Sequence, residues 1–96
     1  MNLRDLRVEV LTRDKGCVIE WLIHHRCADR WGTEHEPDDL ARLELGHVRE
    51  HPGGMRRNEP GWTIAQCGRS NSDHEESANA ALVRAYLKGV RAGMRT

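Results

Sequence analysis

The sequence predicts a small α+β domain in which a β-hairpin is followed by a C-terminal helix. Residues 43–48 and 62–67 are short apolar segments of strand length, and the residues between them are rich in glycine, proline and arginine. An amphipathic segment of helical periodicity follows the second of them. With 96 residues the chain is expected to form one domain, whose hairpin and helix occupy about residues 43–92.

The N-terminal segment is expected to be a helix over residues 3–14. Its leucines and valines fit a helical period, although Val8 and Val10 also alternate as they would in a strand. Asn2 is a suitable N-cap, and Lys15-Gly16 is a suitable end.

The next segments predict an irregular N-terminal half. Residues 17–23 are short and apolar and are expected to form an irregular strand, whereas residues 24–37 form a polar connector. Pro37, with two acidic residues after it, predicts the start of a short helix that ends at Arg42.

Period-two alternation predicts the hairpin, since Leu43, Leu45 and His47 would share one face of the first strand. The last helix is expected to begin near Ser72 or Asp73 and to end at about residue 91. Asp73 with Glu76 three residues later makes a capping-box pattern. The apolar residues expected to face the core are Ala78, Leu82, Ala85, Tyr86 and Val90.

The composition indicates a thin core that needs additional support. Hydrophobic residues make up 38% of the chain and there is no phenylalanine. Small domains of this kind often depend on a metal or on disulfides, and three cysteines do not suit a closed disulfide framework. The sequence shows neither a signal peptide nor an apolar run of membrane-spanning length, so we expect a cytoplasmic protein. The tryptophans expected in this core are Trp21, Trp31 and Trp62.

Several short motifs occur in an order that resembles the HNH endonuclease family, and most closely the small HNH-like proteins of actinobacteria and their phages. The motifs are Arg13-Asp14-Lys15-Gly16-Cys17-Val18, Cys27 with Arg30-Trp31-Gly32, Asp38-Asp39-Leu40, Leu43-Glu44-Leu45-Gly46-His47-Val48, Cys67 with Asn71, and residues 82–87. The resemblance implies a ββα-metal fold with an N-terminal helix and a zinc-tethered, irregular N-terminal half.

The same resemblance implies a site for phosphodiester hydrolysis. His47 would be the general base that activates water, and Asn71 would be a ligand of Mg²⁺ or another divalent cation. Members of the family commonly have an aspartate directly before this histidine, as a second metal ligand. This chain has Gly46 at that position, so the resemblance departs from the family where the cation would bind.

A structural zinc site is also implied by the resemblance, with Cys17, Cys27 and Cys67 as three of its ligands. The fourth ligand would be expected at Ser70, but a hydroxyl is a poor zinc ligand. The histidines able to replace it are His24, His25, His35 and His74. We expect His74, because the other three fall in the polar connector.

Basic residues in the C-terminal half predict contacts with nucleic acid. Arg84, Lys88, Arg91 and Arg95 recur at helical spacing and would form one stripe on the last helix. Further candidates for phosphate contacts are Arg49, Arg56, Arg57 and Arg69. Such a surface would bind phosphates in a salt-dependent manner without reading sequence.

Two functions follow as expectations, and a zinc-stabilised fold with neither of them is the third alternative. The first is a monomeric, metal-dependent HNH-type endonuclease that hydrolyses DNA. The second is a module on the same scaffold, encoded by a phage, that binds DNA or a host protein without cleavage. The absence of a carboxylate at Gly46 and of a cysteine at Ser70 favours the second expectation.

Overall fold

A two-stranded antiparallel sheet lies at the centre of the fold, which we describe from a computed structural model over residues 1–94. Strand β1 spans Leu43–His47 and strand β2 spans Thr63–Cys67. Leu43 pairs with Cys67 at one end of the hairpin, and His47 pairs with Thr63 at the other. The predicted hairpin is therefore confirmed, and the fold is a small α+β arrangement. Arg95, which was predicted to belong to the basic stripe, lies outside the described residues.

The N-terminal helix α1 spans Leu3–Asp14, as the leucine and valine spacing predicts. The side chain of Asn2 caps it by accepting a hydrogen bond from the backbone N–H of Asp5 at 2.8 Å. Lys15 ends it in the left-handed conformation, with φ of 59°. The helix buries Leu6 and Val10 against the hairpin.

The segment after Cys17 is a helix, so the expected irregular strand is wrong. Helix α2 spans Val18–Ile23 and buries the consecutive residues Val18 and Ile19. Neighbouring residues of a strand point to opposite faces, whereas neighbours on a short helix can both contact a core. Short apolar runs do not distinguish these two states by periodicity. The short helix predicted before β1 is reduced to a 3₁₀ turn at Leu40–Arg42.

The C-terminal part forms three helices where one was predicted. Helix α3 spans Gly68–Ser72 and begins directly after β2, α4 spans Glu75–Ala78, and α5 spans Ala80–Met94. The left-handed conformation of His74, with φ of 54°, separates α3 from α4. The predicted capping box is therefore wrong, because His74 occupies the N-cap position of α4 and makes no side-chain capping bond.

The buried face of α5 is rotated relative to the predicted one. Val83 and Leu87 are fully buried, whereas Leu82 is 48% exposed. A one-residue shift on a helix turns the side chain by about 100°, which moves it from the core to the surface. The buried hydrophobic residues of the core are Leu6, Val10, Cys17, Val18, Ile19, Cys27, Ala28, Leu43, Val48, Ile64, Ala65, Cys67, Val83 and Leu87.

Two of the three tryptophans expected in the core lie at the surface. Trp21 is 64% exposed and Trp31 is 87% exposed. Trp62 is partly buried in a 3₁₀ turn before β2, where the guanidinium of Arg91 lies 3.9 Å from the centre of its ring. Among residues 1–94, no helix combines the length and the apolar character needed to cross a membrane.

A buried carboxylate connects α1 to the hairpin and to α5. Asp14 accepts hydrogen bonds from the backbone N–H of Ala65 at 2.8 Å and from the hydroxyl of Tyr86. Burial and the neighbouring Asp14 carboxylate raise the pKa of Tyr86 to about 12. This network fixes α1 against the hairpin and α5.

Candidate functional site

Three cysteines and one histidine from separate segments meet between the two halves of the molecule. Cys17 precedes α2, His25 and Cys27 follow it, and Cys67 ends β2. Their ligand atoms all lie within 4.8 Å of one another. We call Cys17, His25, Cys27 and Cys67 the Cys/His cluster.

The geometry of the Cys/His cluster fits a tetrahedral metal ion. The Nε2 atom of His25 lies 3.4 Å from the sulfur of Cys17, 3.5 Å from that of Cys27 and 3.6 Å from that of Cys67. Zinc–sulfur and zinc–nitrogen bonds of about 2.3 and 2.05 Å at tetrahedral angles separate such atoms by about 3.5 Å. The cluster could therefore bind a metal such as zinc.

A second residue orients the histidine of the cluster. The Nδ1 atom of His25 lies 2.9 Å from the carboxylate of Glu75 on α4, so this nitrogen donates and Nε2 presents its lone pair to the three sulfurs. Metal-binding histidines usually have such a carboxylate or carbonyl partner. The left-handed conformation of His24 ends α2 and lets the chain turn back, which places His25 beside Cys17.

Proton binding by the three thiols differs within the cluster. Hydrogen bonding from Cys17 lowers the pKa of Cys67 to about 4, and the same bond raises the pKa of Cys17. Burial raises the pKa of Cys27 to about 12. A metal ion that binds the cluster must displace protons from the thiols whose pKa is raised, which are those of Cys17 and Cys27.

The structure brings together the three cysteines that the sequence singled out, but the fourth ligand differs from the expected one. His74 is not part of the cluster, and its side chain is exposed with Nδ1 3.8 Å from the carboxylate of Glu76. His25 was one of four open choices, and the polar character of its segment argued against it. The turn at His24 decides the outcome, and no sequence signal marks that turn.

His47, the expected general base, is at the end of β1 and contacts the loop that follows. Its Nε2 atom lies 2.9 Å from the amide oxygen of Asn58. Since that oxygen accepts, Nε2 carries the proton and Nδ1 has the free lone pair. The sequence reading did not include Asn58, which is one of several polar residues in a long loop.

A cleft of about 400 Å³ opens beside His47. Its polar lining contains three arginines and three histidines but only one carboxylate, and it includes residues of the loop, α4 and α5. The polar and charged residues that line it are His47, Arg49, His51, Arg56, His74, Glu76, Ser77 and Arg84. We call this the cationic cleft. Among residues 1–94, Arg49, Arg56 and Arg84 form no ion pair with an acidic side chain, so their charge is not neutralised locally.

Asn71, the expected metal ligand, takes part in a chain of hydrogen bonds within the protein. Its amide oxygen accepts from Nε2 of Gln66 at 2.9 Å, and its amide nitrogen donates to Glu44 at 2.9 Å. Nε2 of Gln66 also donates to the carboxylate of Glu76 at 3.2 Å. The carboxylate of Glu44 accepts a hydrogen bond from the guanidinium of Arg30, and this bond lowers the pKa of Glu44.

Gly46 lies under the side chain of Gln66 on the same face of the hairpin. A Cβ atom at Gly46 would lie 2.9 Å from the side-chain carbon of the Gln66 amide and 3.2 Å from Ile64. Any side chain at position 46 would therefore displace Gln66, which is fully buried and also accepts a hydrogen bond from Ser70. The glutamine fills the space into which an aspartate at this position would project.

The basic residues expected to contact nucleic acid fall into two groups. Arg49, Arg56 and Arg84 line the cationic cleft, whereas Lys88 is exposed outside it. Within the cleft, Nε of Arg84 donates to the carbonyl of Arg49 at 3.3 Å. Three residues outside the cleft are also engaged within the protein. Arg57 pairs with Glu50 at 3.3 Å, Arg69 donates to the carbonyl of Arg26 at 2.6 Å, and Arg91 donates to the carbonyl of Gly61 at 2.8 Å.

Comparisons of the chain with protein-family models, with curated proteins and with solved structures return no match. The family resemblance therefore depends on the sequence motifs alone. The structural features that bear on function are the Cys/His cluster, the cationic cleft and the hydrogen-bonded chain between Arg30 and Glu76.

Proposed function

We propose that this chain is a zinc-stabilised module on an HNH-like scaffold that binds DNA through the cationic cleft and does not cleave it. The order of hairpin and helix supports the scaffold, since His47 ends β1 and Asn71 lies in α3 directly after β2. We also propose that the protein is cytoplasmic and monomeric, as the sequence led us to expect.

The side chain of Gln66 is the observation that carries the non-catalytic assignment. Its Nε2 atom lies 2.9 Å from the oxygen of Asn71 and 3.2 Å from that of Glu76. A hard cation such as Mg²⁺ would bind through the lone pairs of these oxygens. An amide N–H that occupies them takes the place of the cation, and Gly46 supplies no carboxylate with which a cation could compete.

The Cys/His cluster supports zinc as the structural metal. Three sulfurs and one imidazole nitrogen form an accepted tetrahedral zinc set, and all four come from the protein, so no position stays open for catalysis. The cluster joins the segment around α2 to the end of β2. Zinc binding would therefore supply the additional stability that this small core requires.

The cationic cleft supports phosphate binding. Arg49 and Arg56 are exposed on the loop that borders the cleft, and Arg84 faces it from α5. Guanidinium groups bind phosphate oxygens in a bidentate manner, and loop and helix residues on two sides could hold one backbone between them. Binding of this type depends strongly on salt and weakly on base sequence.

Fluorescence anisotropy of labelled DNA at several salt concentrations tests this function. Wild-type protein should bind, with a logarithmic dependence on salt whose slope falls by about 0.9 for each phosphate contact that is removed. The Arg56→Ala/Arg84→Ala double variant should bind more weakly and with a smaller slope. Arg4→Ala is the matched control, because Arg4 is exposed on α1 and does not line the cleft.

Equal binding by the wild type and the double variant would contradict the assignment of the cleft. If the wild type does not bind DNA at any salt concentration, the DNA-binding function is wrong. A host protein would then be the partner to look for. Circular dichroism of each variant confirms that the comparison is made between folded proteins.

Metal-dependent DNA hydrolysis is the second candidate function, and the hydrogen bond between His47 and Asn58 favours it. This bond holds the imidazole with Nδ1 free to accept a proton from water. Glu76 lines the same cleft, and its carboxylate would take the metal-binding role that the family resemblance assigns to an aspartate at position 46. A divalent cation there would activate water and neutralise the scissile phosphate.

A further inference from the structure

Trp31 is the most exposed large hydrophobic side chain among the described residues, at 87%. It lies at the tip of a tight turn over residues 28–34, between Arg30 and Gly32. A single exposed apolar residue is common at protein surfaces and needs no explanation by itself. The hydrogen bonds that fix this turn are a second, independent observation.

The turn is held in one conformation by its own backbone. The carboxylate of Asp29 accepts from the backbone N–H of Trp31 at 2.9 Å and of Thr33 at 3.0 Å. The N–H of Asp29 donates to the carbonyl of Thr33 at 2.9 Å, and Gly32 takes φ of 90°, which glycine adopts readily. The backbone N–H of Thr33, with that of Trp31, lowers the pKa of Asp29. Because the backbone of the turn is already ordered, little backbone entropy is lost when Trp31 binds a partner.

The turn is also anchored to the rest of the protein. Its carbonyl at Ala28 accepts from the N–H of Arg69 at 3.0 Å, and Cys27 directly before it belongs to the Cys/His cluster. The guanidinium of Arg30 contacts both oxygens of Glu44 on β1. A Cβ atom at Gly68 would lie 2.9 Å from the backbone nitrogen of Arg30, so the turn packs closely on the start of α3.

A chain of hydrogen-bonded side chains leads from this turn to the cationic cleft. Arg30 contacts Glu44 at 2.6 Å, Glu44 contacts Asn71 at 2.9 Å, and Gln66 links Asn71 to Glu76 at the cleft.

We propose that Trp31 is a stacking platform for an unpaired base of a nucleic acid whose phosphates lie in the cationic cleft. The proposal rests on the DNA-binding function proposed above. A base inside a regular duplex is covered by its neighbours, whereas an unpaired base offers a free face to an indole ring. The module therefore prefers single-stranded or distorted DNA to regular duplex.

The turn and the cationic cleft differ in charge and should therefore make different contacts with a bound nucleic acid. Arg26 and Arg30 are paired with Glu34 and Glu44, so the turn contributes an aromatic face with little net charge. The cationic cleft contributes the attraction to phosphate. Loss of the indole should therefore change the preference for single strands and leave the salt dependence almost unchanged.

Anisotropy titrations with a single-stranded oligonucleotide and with the corresponding duplex test the proposal. Trp31→Ala should weaken single-strand binding about 10-fold, in the range expected for one stacked base, and should change duplex binding less than about 2-fold. Trp31→Phe should restore most of the loss. Trp21→Ala is the matched control, since Trp21 is also exposed but lies on α2 and contacts Tyr86.

The outcomes separate this proposal from the function on which it rests. If Trp31→Ala binds single strands as the wild type does while Arg56→Ala/Arg84→Ala loses binding, the stacking role is wrong and the DNA-binding function stands. Equal losses on single strands and duplex, without rescue by phenylalanine, also overturn the stacking role. If the wild type binds neither DNA, both proposals fail.

Discussion

The Cys/His cluster and the polar residues next to the cationic cleft differ in what occupies their centres. In the cluster, four ligand atoms lie within 4.8 Å of one another around a common centre, and Glu75 orients the imidazole from outside. Next to the cleft, the amide of Gln66 lies between the oxygens of Asn71 and Glu76. The first region is built to accept a metal ion, whereas the second already satisfies its oxygens with protein hydrogen atoms.

On the proposed HNH-like scaffold, the structural metal site would be kept and the chemistry of the second site would be lost through a few side chains. Gly46 has no side chain where the HNH resemblance implies a carboxylate, and Gln66 fills that space. Fold and activity are then separable, because the activity depends on the site and not on the architecture. Substitutions in the two regions should therefore have different consequences.

Removal of a cluster ligand should have the largest effect. His25→Asn should bind zinc far more weakly and unfold at a much lower temperature, because the binding free energy of a structural metal is also folding free energy. Thermal unfolding by circular dichroism, with and without a chelator, measures the effect. His24→Asn is the control, since the neighbouring His24 has an exposed side chain and a left-handed backbone that asparagine tolerates. If a chelator leaves the wild-type melting temperature unchanged, the cluster does not hold a structural metal.

Loss of the carboxylate that orients His25 should have the next largest effect. Glu75→Gln should weaken zinc binding about 10- to 100-fold, as is usual when the outer partner of a metal-binding histidine is changed. Competition with a chromophoric chelator measures the affinity. Glu9→Gln on the exposed side of α1 should match the wild type. An unchanged affinity in Glu75→Gln would show that the 2.9 Å contact with His25 does not orient the ligand.

The side chain added at position 46 tests whether Gln66 fills the second region. Gly46→Ala should destabilise the protein by about 1–3 kcal/mol, because the new methyl group displaces a buried amide from its partners. Gly46→Ala/Gln66→Ala should lose less than the sum of the two single variants, since the smaller residue at 66 removes the clash. Urea unfolding measures all four proteins of this cycle. Additive losses would mean that the two positions do not compete for the same space.

Substitution of Glu44 should have a small effect on stability, and this effect should depend on pH. Arg30 holds the pKa of Glu44 below its usual value of 4.5. This carboxylate therefore stabilises the folded protein above about pH 4.5, and its contribution is lost as the pH falls through the lower folded-state pKa. The difference in urea midpoint between the wild type and Glu44→Gln should be present at pH 7 and shrink at lower pH. A difference that stays constant with pH would contradict this ion pair.

The sequence predicted the parts of the fold that depend on local patterns. The two strands, the glycine- and proline-rich loop and the Asn2 cap depend on neighbouring residues, and each appears in the structure. Burial along β1 does not alternate, because Leu43 and Gly46 are buried whereas Leu45 and His47 are only partly buried. The breaks at His24 and His74 were not predictable, because a histidine in the left-handed conformation has no sequence signature. Leu82 was assigned to the core from its position on the predicted helix and Trp31 from its residue type, although tertiary packing decides which apolar residues are covered.

The candidate site was predictable to the same extent. The three cysteines could be grouped from the sequence, but the choice among four histidines depended on where α2 ends. The bond between His47 and Asn58 and the position of Gln66 join residues that are far apart or unremarkable in the sequence. Only the folded structure shows that Asn71 is already hydrogen-bonded on both atoms of its amide.

DNA binding without cleavage can be tested by incubating supercoiled plasmid with the zinc-loaded protein in Mg²⁺, in Mn²⁺ and in a chelator of these ions, with His47→Ala in parallel. We expect that the wild type retards the plasmid in a gel at low salt and leaves it supercoiled under every condition. Metal-dependent nicking by the wild type that is lost in His47→Ala would contradict it. That result would establish His47 as the general base and would show that a cation reaches the site despite Gln66.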